Sequence, residues 1–346
     1  MSNSKFNPDD VGISNGNYFG FPNNPEKSDI VLISVPWDVT TSYKPGTADG
    51  PEAIIEASVQ LDFFDFEIPN AWETKISSLP INKEIVRQNQ NLRPKAEEII
   101  RKLESGEHLD EPLMKKQATI NTYSEKLNEL IKYQSLELLK TGAVVGVVGG
   151  DHSSPLGLIH ALSEQYADFG ILHIDAHADL RKCYEGFEFS HASIMYNALK
   201  LKNISRIVQV GIRDISSGEM ELIEQNERLL LFSDYTIKSA CFNGTSWDLL
   251  CDNIIAKLPQ NLYISFDIDG LSPEFCPNTG TPVPGGLTFN EAIHLLHKLH
   301  RSSKKIIGFD LCEVAVSANT DWDANVGARI LYKLCLIAAS SNKMNI

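Results

Sequence analysis

Short apolar runs rich in β-branched residues punctuate the chain, with helical periodicity between them. The runs are Ile30–Val35, Ala143–Val148, Phe169–Ile174, Ile207–Gly211, Leu229–Phe232, Leu262–Phe266 and Lys305–Leu311. Runs of this length with little alternation predict strands covered on both faces, as in parallel sheets. A helix is predicted at Glu52–Ala57, where Pro51 suits the first turn. A second carries Leu156, Leu158, Ile159 and Leu162, and a third covers 324–337. Residues 83–140 predict long amphipathic helices with a polar break at 105–112. Strand and helix therefore alternate, which predicts a three-layer α/β/α fold on a mainly parallel central sheet.

No repeat, low-complexity tract or linker divides the chain, so residues 1–346 read as one domain. Residues 1–27 form an irregular arm, lying on its own domain or on a neighbouring subunit. Residues 61–82 are mixed, with an acidic aromatic patch at Asp62–Phe66, and 83–140 is a helical elaboration. The loop 38–48, punctuated by Gly and Pro, follows the first strand. It is either a wall of a pocket or a plain surface loop.

Composition narrows the function. Hydrophobic residues make up 42% of the chain and charged residues 22%, ordinary for a globular protein with a sizeable core. The net charge of −14 argues against nucleic acid and anionic membrane as partners. No apolar stretch is long enough to span a bilayer, and the polar start lacks a signal core, so a cytoplasmic protein is expected. The six cysteines include no Cys-x-x-Cys pair and read as free thiols, Cys183 included.

The chemistry concentrates just past three of the runs. His152 follows the run ending at Val148. Asp175, His177 and Asp179 follow Ile174 at alternating positions, and Asp267 and Asp269 follow Phe266. In extended chain, alternate side chains share a face, and α/β sheets gather ligands at the carboxyl ends of their strands. Any one of these motifs alone would be a turn or a cap. Together they give two imidazoles and four carboxylates, too many for one ion and suited to two divalent ions sharing carboxylates. With no thiolate, the set favours Mn²⁺, with Fe, Co, Ni and Zn as alternatives. His173 is out of phase and reads as a core histidine. Two metals about 3.5–4 Å apart lower the pKa of a bridging water and present hydroxide to an electrophilic centre, so the reaction class is metal-assisted hydrolysis.

The stretches Gly149–Ser153, Asp175–Asp179 and Ser265–Leu287 resemble the ureohydrolase family of arginases and agmatinases. The resemblance covers roughly residues 30–340 and is closest in character to the agmatinase-like branch. It implies an arginase-like fold and hydrolysis of a guanidino group to urea and an amine at two Mn²⁺ ions, with Ni²⁺ as the alternative. By position, His152 and Asp179 would ligate one metal, His177 and Asp269 the other, and Asp175 and Asp267 would bridge. His191 matches the proton-shuttling histidine, and Glu313 the acidic residue beside the guanidinium. The family also implies a trimer or hexamer.

The chain departs from its relatives in places. Ser272-Pro273 stands where many have Asp-Pro, and no Pro-containing stretch followed by Asp comes after Glu313. Asp321 and Asp323 either take over part of that role or cap the helix behind them. The arginase stretch for the α-amino and α-carboxylate groups is not recognisable in 180–195, where Arg181–Ser190 is aromatic and acidic. That favours agmatine, giving putrescine, over arginine. Guanidine hydrolysis, with nickel, is an alternative; formimidoylglutamate hydrolysis and a non-catalytic binder rank lower. A metallophosphatase would want basic groups, and only Arg181, Lys182 and Arg213 lie near the motifs. Asp38, Tyr43, Tyr184 and Asp321 are the candidate substrate contacts.

Overall fold

Eight strands form one sheet in the computed structural model, which describes residues 7–343, and every pairing in it is parallel. In chain order the first elements are β1 (Ile30–Val35), α1 (Gly50–Ser58), β2 (Ile76–Ser78), α2 (Lys83–Glu104), α3 (Glu111–Leu139), β3 (Val144–Gly149) and α4 (Leu156–Gln165). The middle of the chain gives β4 (Phe169–Ile174), α5 (Ile194–Leu199), β5 (Ile204–Val210), α6 (Ser217–Gln225), β6 (Leu229–Phe232), α7 (Asp234–Phe242) and α8 (Trp247–Ala256). The last elements are β7 (Asn261–Asp267), α9 (Phe289–Arg301), β8 (Lys305–Cys312) and α10 (Trp322–Lys343). Spatial order is β2-β1-β3-β8-β7-β4-β5-β6, so β8 lies between two strands formed earlier in the chain.

Alternation along the strands divides the core. Ile30 and Leu32 join the cluster under α1, α9 and α10, whereas Val31, Ile33 and Val35 join the cluster under α2, α3 and α4. The central strands are wholly buried because each face carries a helical layer. The three layers are therefore α/β/α. The expected strand runs are all present. Two corrections follow from pairing, which apolar runs do not encode. The stretch 61–82 contains a short edge strand, β2, beside β1, and β5 begins at Ile204, ahead of the predicted Ile207. The last helix starts at Trp322 and ends at Lys343, longer than its apolar stripe.

The described part of the amino-terminal arm packs on its own chain. Phe19 is 1% exposed and its ring centroid lies 5.3 Å from that of Tyr332; Phe63 lies 5.6 Å from the same ring. Asp65 of the acidic aromatic patch turns inward, where Lys333 and His297 bond its Oδ2. Burial opposes ionisation of Asp65, but the bonds from His297 and Lys333 outweigh it and hold the carboxyl well below its usual range. Phe64 and Phe66 point to solvent.

Two outcomes test this packing. Phe19→Ala should destabilise the protein by about 3–5 kcal/mol, because a buried ring is lost from a closed cluster; urea denaturation measures it. Asp65 is depressed in the folded state, so its contribution is present above the unfolded carboxyl value of about 3.9 and lost as pH falls through and below it. Asp65→Asn should therefore flatten the acid limb of stability against pH relative to the unaltered protein. Parallel curves would show that Asp65 carries no such linkage.

Candidate metal centre

The four adjacent strands β3, β8, β7 and β4 end on one rim of the sheet, and the expected ligands stand there. His152 lies beyond β3, Asp175 to Asp179 beyond β4, Asp267 and Asp269 at the end of β7, and Glu313 directly after β8. The turn after β3 is tight: a Cβ on Gly150 would stand 2.3 Å from the Trp37 carbonyl oxygen, so only glycine fits. Asp179 and Glu313 are held at φ 54° and 63°, left-handed conformations rare outside glycine.

His152 Nδ1 has three carboxylate oxygens around it: Asp175 Oδ2 at 3.0 Å, Asp179 Oδ2 at 3.2 Å and Asp267 Oδ2 at 3.2 Å. A ring nitrogen carries at most one hydrogen and cannot serve three acceptors. On the other side, His177 Nδ1 lies 3.1 Å from Asp269 Oδ2 and 3.5 Å from Asp175 Oδ1. Asp175 thus divides its two oxygens between the histidines. Adjacent donors on an octahedral ion at about 2.1 Å lie about 3 Å apart, which is the spacing found here. The residues fit a pair of divalent cations.

The electrostatics carry the same message. Burial, with Asp269 and Asp175 next, pushes Asp267 well above the usual carboxylate range. Burial and then Asp175 push Asp179 up to about 6. For Asp175, burial acts upward but is outweighed by His173, His152 and His177, which hold it well below its ordinary value. For His177, burial acts downward, and Asp269 and Asp175 overcome it and push the ring up to about 12. Four carboxylates and two imidazoles so arranged leave negative charge for a cation to balance.

Several partners were not singled out from sequence. His152 Nε2 is 2.8 Å from Ser265 Oγ, which donates to Asp310 Oδ2 at 2.8 Å; Tyr263 donates to the same oxygen at 2.7 Å. His173, read as a core histidine, is buried, but its Nε2 lies 2.8 Å from Asp175 Oδ2, and it stands with His152, Asp175 and Asp179 in one group of candidate metal donors. Gln209 gives Nε2 hydrogens to the Ala178 carbonyl and His173 Nδ1. The available signal was a polar residue between two apolar ones within a strand: Gln209 between Val208 and Val210 on β5, Ser265 between Ile264 and Phe266 on β7, Asp310 between Phe309 and Leu311 on β8. Such bonds orient ligating side chains.

A cavity of about 620 Å³ opens onto His177 and Asp179, lined also by His191, Tyr43, Tyr184 and Asp214. Asp214 was missed in the sequence; its carboxylate makes no ion pair among the described residues. Burial, then repulsion by His177 and His152, push His191 down to about 3, so its ring is neutral near pH 7. Glu313 Oε1 accepts the His152 backbone N–H at 2.9 Å, while its buried Oε2 has no hydrogen-bond partner among the described residues. Burial and then Asp151 push that carboxyl well above its usual range.

Two candidate substrate contacts are corrected. Asp38 is buried under the loop: its Oδ2 accepts from the Gly46 and Ala48 N–H groups, and its Oδ1 from Asn89. It builds the wall and does not line the cavity. Asp321 is exposed on a separate groove with Ala53, Glu56 and Val316, because α10 starts before the chain can turn back to the rim. Asp323 instead takes both the N–H and the side-chain amide of Asn278. Arg213 spends its guanidinium on the carbonyls of Asp269, Leu271 and Val283.

A family model described as the arginase family matches residues 28–337. An N(1)-aminopropylagmatine ureohydrolase of Thermus thermophilus is 32% identical over 316 residues, covering 91% of this chain and 92% of its own. The agmatinase of Bacillus subtilis is 26% identical over 317 residues, covering 90% and 92%. The solved agmatine ureohydrolase of Thermoplasma volcanium superposes with a TM-score of 0.69 at 22% identity over 94% of each chain, which shows a shared fold.

If the cluster is completed by cations, excess divalent ion should stabilise chelator-stripped protein by RT ln(1 + [L]/Kd), about 2.7 kcal/mol at a hundredfold excess over Kd. Thermal melts with and without Mn²⁺ measure this, and Asp267→Ala should abolish the gain. A gain retained in that variant would show that Asp267 is no ligand.

Proposed function

The chain belongs to the arginase family, hydrolases of amidine C–N bonds, and from that premise we propose that it cleaves the guanidino group of a small cationic substrate to urea and an amine. Agmatine is the first candidate, with putrescine as the amine. The observation that carries this reading is Asp175, whose two oxygens face two different histidines across a carboxylate cluster. His152 and Asp179 would hold one ion, His177 and Asp269 the other, and Asp175 and Asp267 both. Oxygen-rich ligation favours Mn²⁺, with Ni²⁺ as the alternative. Two such ions, when bound, supply an acidified water and an electrostatic sink for the charge that grows at the carbon.

The protein's own groups would do the rest. The unpartnered Glu313 Oε2 offers a buried acceptor to the N–H edge of a guanidinium, and a charge-assisted bond there fixes which face of the carbon is presented. His191 lines the cavity wall beside His177 and Asp179, where an imidazole would relay a proton to the departing amine. Asp214 offers a carboxylate to a cationic tail. A cavity of about 620 Å³ holds more than guanidine alone, which favours a tailed substrate, agmatine or the longer aminopropyl-agmatine named for the Thermus relative. A cytoplasmic, trimeric or hexameric enzyme belongs to the same reading. No helix among the described residues is long and apolar enough to cross a membrane.

The decisive experiment gives metal-loaded protein agmatine, N1-aminopropylagmatine, guanidinobutyrate, arginine, guanidine and formimidoylglutamate, and measures urea, ammonia and formamide. Urea from agmatine or its aminopropyl form supports the proposal, and no product from any of them overturns it. His191→Ala should keep both metals by elemental analysis and lower kcat about 10²–10⁴-fold. Loss of metal would instead make His191 a ligand.

A further inference from the structure

Helices α2 and α3 line no part of the cavity, yet both of its walls hang from them. On one wall, Arg93 of α2 donates from Nη1 to the carbonyls of Asp38 at 3.1 Å, Val39 at 3.3 Å and Thr41. Asn89 of α2 accepts the Asp38 N–H at 2.8 Å and donates to its Oδ1 at 2.9 Å. Two residues past Thr41, the cavity-lining Tyr43 has φ 64°. On the other wall, Gln117 of α3 donates to the Glu185 carbonyl at 2.9 Å. Asn121 donates to the Gly186 carbonyl at 3.1 Å and accepts the Glu188 N–H at 3.0 Å. Glu185 has φ 53°, and a Cβ on Gly186 would stand 2.1 Å from the Gln117 amide nitrogen.

Each wall thus carries one left-handed, non-glycine residue beside a brace from the hairpin. Such backbone persists only where its surroundings over-determine it. The walls also face each other, since Ser42 and Tyr43 of one and Tyr184 of the other line the same cavity. The braces touch neither the ligand cluster nor Glu313, which are built on the sheet rim. The hairpin's direct bonds are therefore to the loops of the outer cavity, where a substrate's tail would lie, and it reaches the rim only at one remove, through Thr41 and Asp151.

We propose that the α2–α3 hairpin is the specificity device of this site. Arg93, Gln117 and Asn121 are positioning residues that fix Ser42, Tyr43 and Tyr184 across the mouth and thereby select the tail of the guanidino compound. The proposal rests on the guanidino hydrolase reading. Its predicted signature is a split between tailed and tail-free substrates at constant metal content.

The test compares Arg93→Met, Arg93→Lys and the double variant Gln117→Ala/Asn121→Ala with the unaltered protein, all loaded with Mn²⁺. In Arg93→Met and the double variant, KM for agmatine should rise about tenfold, while kcat/KM for methylguanidine stays within about threefold, because only outer positioning is lost. Arg93→Lys, whose ammonium carries three donors, should recover part of the loss. Amide hydrogen exchange should quicken in 38–48 and 181–190 and stay unchanged in 169–174. An unchanged agmatine KM, an equal loss on both substrates, or a fall in metal content overturns the proposal. If the unaltered protein hydrolyses neither compound, the functional reading fails. Hydrogen exchange then decides the braces separately, and unchanged exchange in both loops overturns them. If Arg93→Met does not fold, the double variant, confined to α3, carries the same comparison.

Discussion

Like charges brought together out of water set the terms for this structure. Asp175, Asp179, Asp267 and Asp269 all lie at 5% exposure or less on one rim of the sheet. Carboxylates so placed are tolerable only if something cationic completes them. Much of the surrounding architecture serves that convergence. Parallel strands bring their carboxyl ends to a common rim, two helical layers keep the rim dry, and backbone N–H groups take up spare oxygens. Asp269 Oδ1 accepts from Ala176, Asp267 Oδ1 from the Asp269 N–H, and Asp175 Oδ1 from the His177 N–H. Each bond leaves the opposite oxygen, or the remaining lone pair, turned toward the histidines.

A division of labour follows from that frame. Sheet residues hold what the proposed reaction would have in common across substrates: the candidate ligand cluster, Glu313 and the short polar chains behind them. Helix-supported loops hold what varies. The histidine at the boundary, His191, follows the loop that α3 pins and faces the ligands that the sheet presents. On the proposed reading, the tail pocket could change while the guanidinium end stays fixed, a separation that suits differential recognition of related substrates.

The strands, and the gathering of the candidate donors at their carboxyl ends, were legible because both signals are local: an apolar run, then donors at alternate positions. The topology was less so. Nothing within Lys305–Cys312 says that it inserts beside Val144–Gly149, and that insertion is what brings Glu313 to the cluster. Asp310 and Gln209 were overlooked because one polar residue in a strand is silent until its partners are known. Asp38 and Asp321 were misassigned for the complementary reason: a carboxylate near a rim in sequence can be consumed by its own loop, or lie on another face. The helices at 83–140 were visible as helices, but their bonds to the cavity walls depend on side chains meeting across some fifty residues of chain, as in Arg93 with Thr41.

The position of β8 also bears on the order of events as the protein forms. It is the last strand made, yet it occupies the middle of the sheet. Before it arrives, β1, β2 and β3 can associate, and so can β4, β5, β6 and β7, but they are two separate sheets. His152 belongs to the first and the other five ligands to the second. A growing chain would therefore carry its candidate metal donors as unmatched parts until β8 joins them. On the proposed reading, high-affinity capture of a pair of ions would be a late event, one that waits for β8.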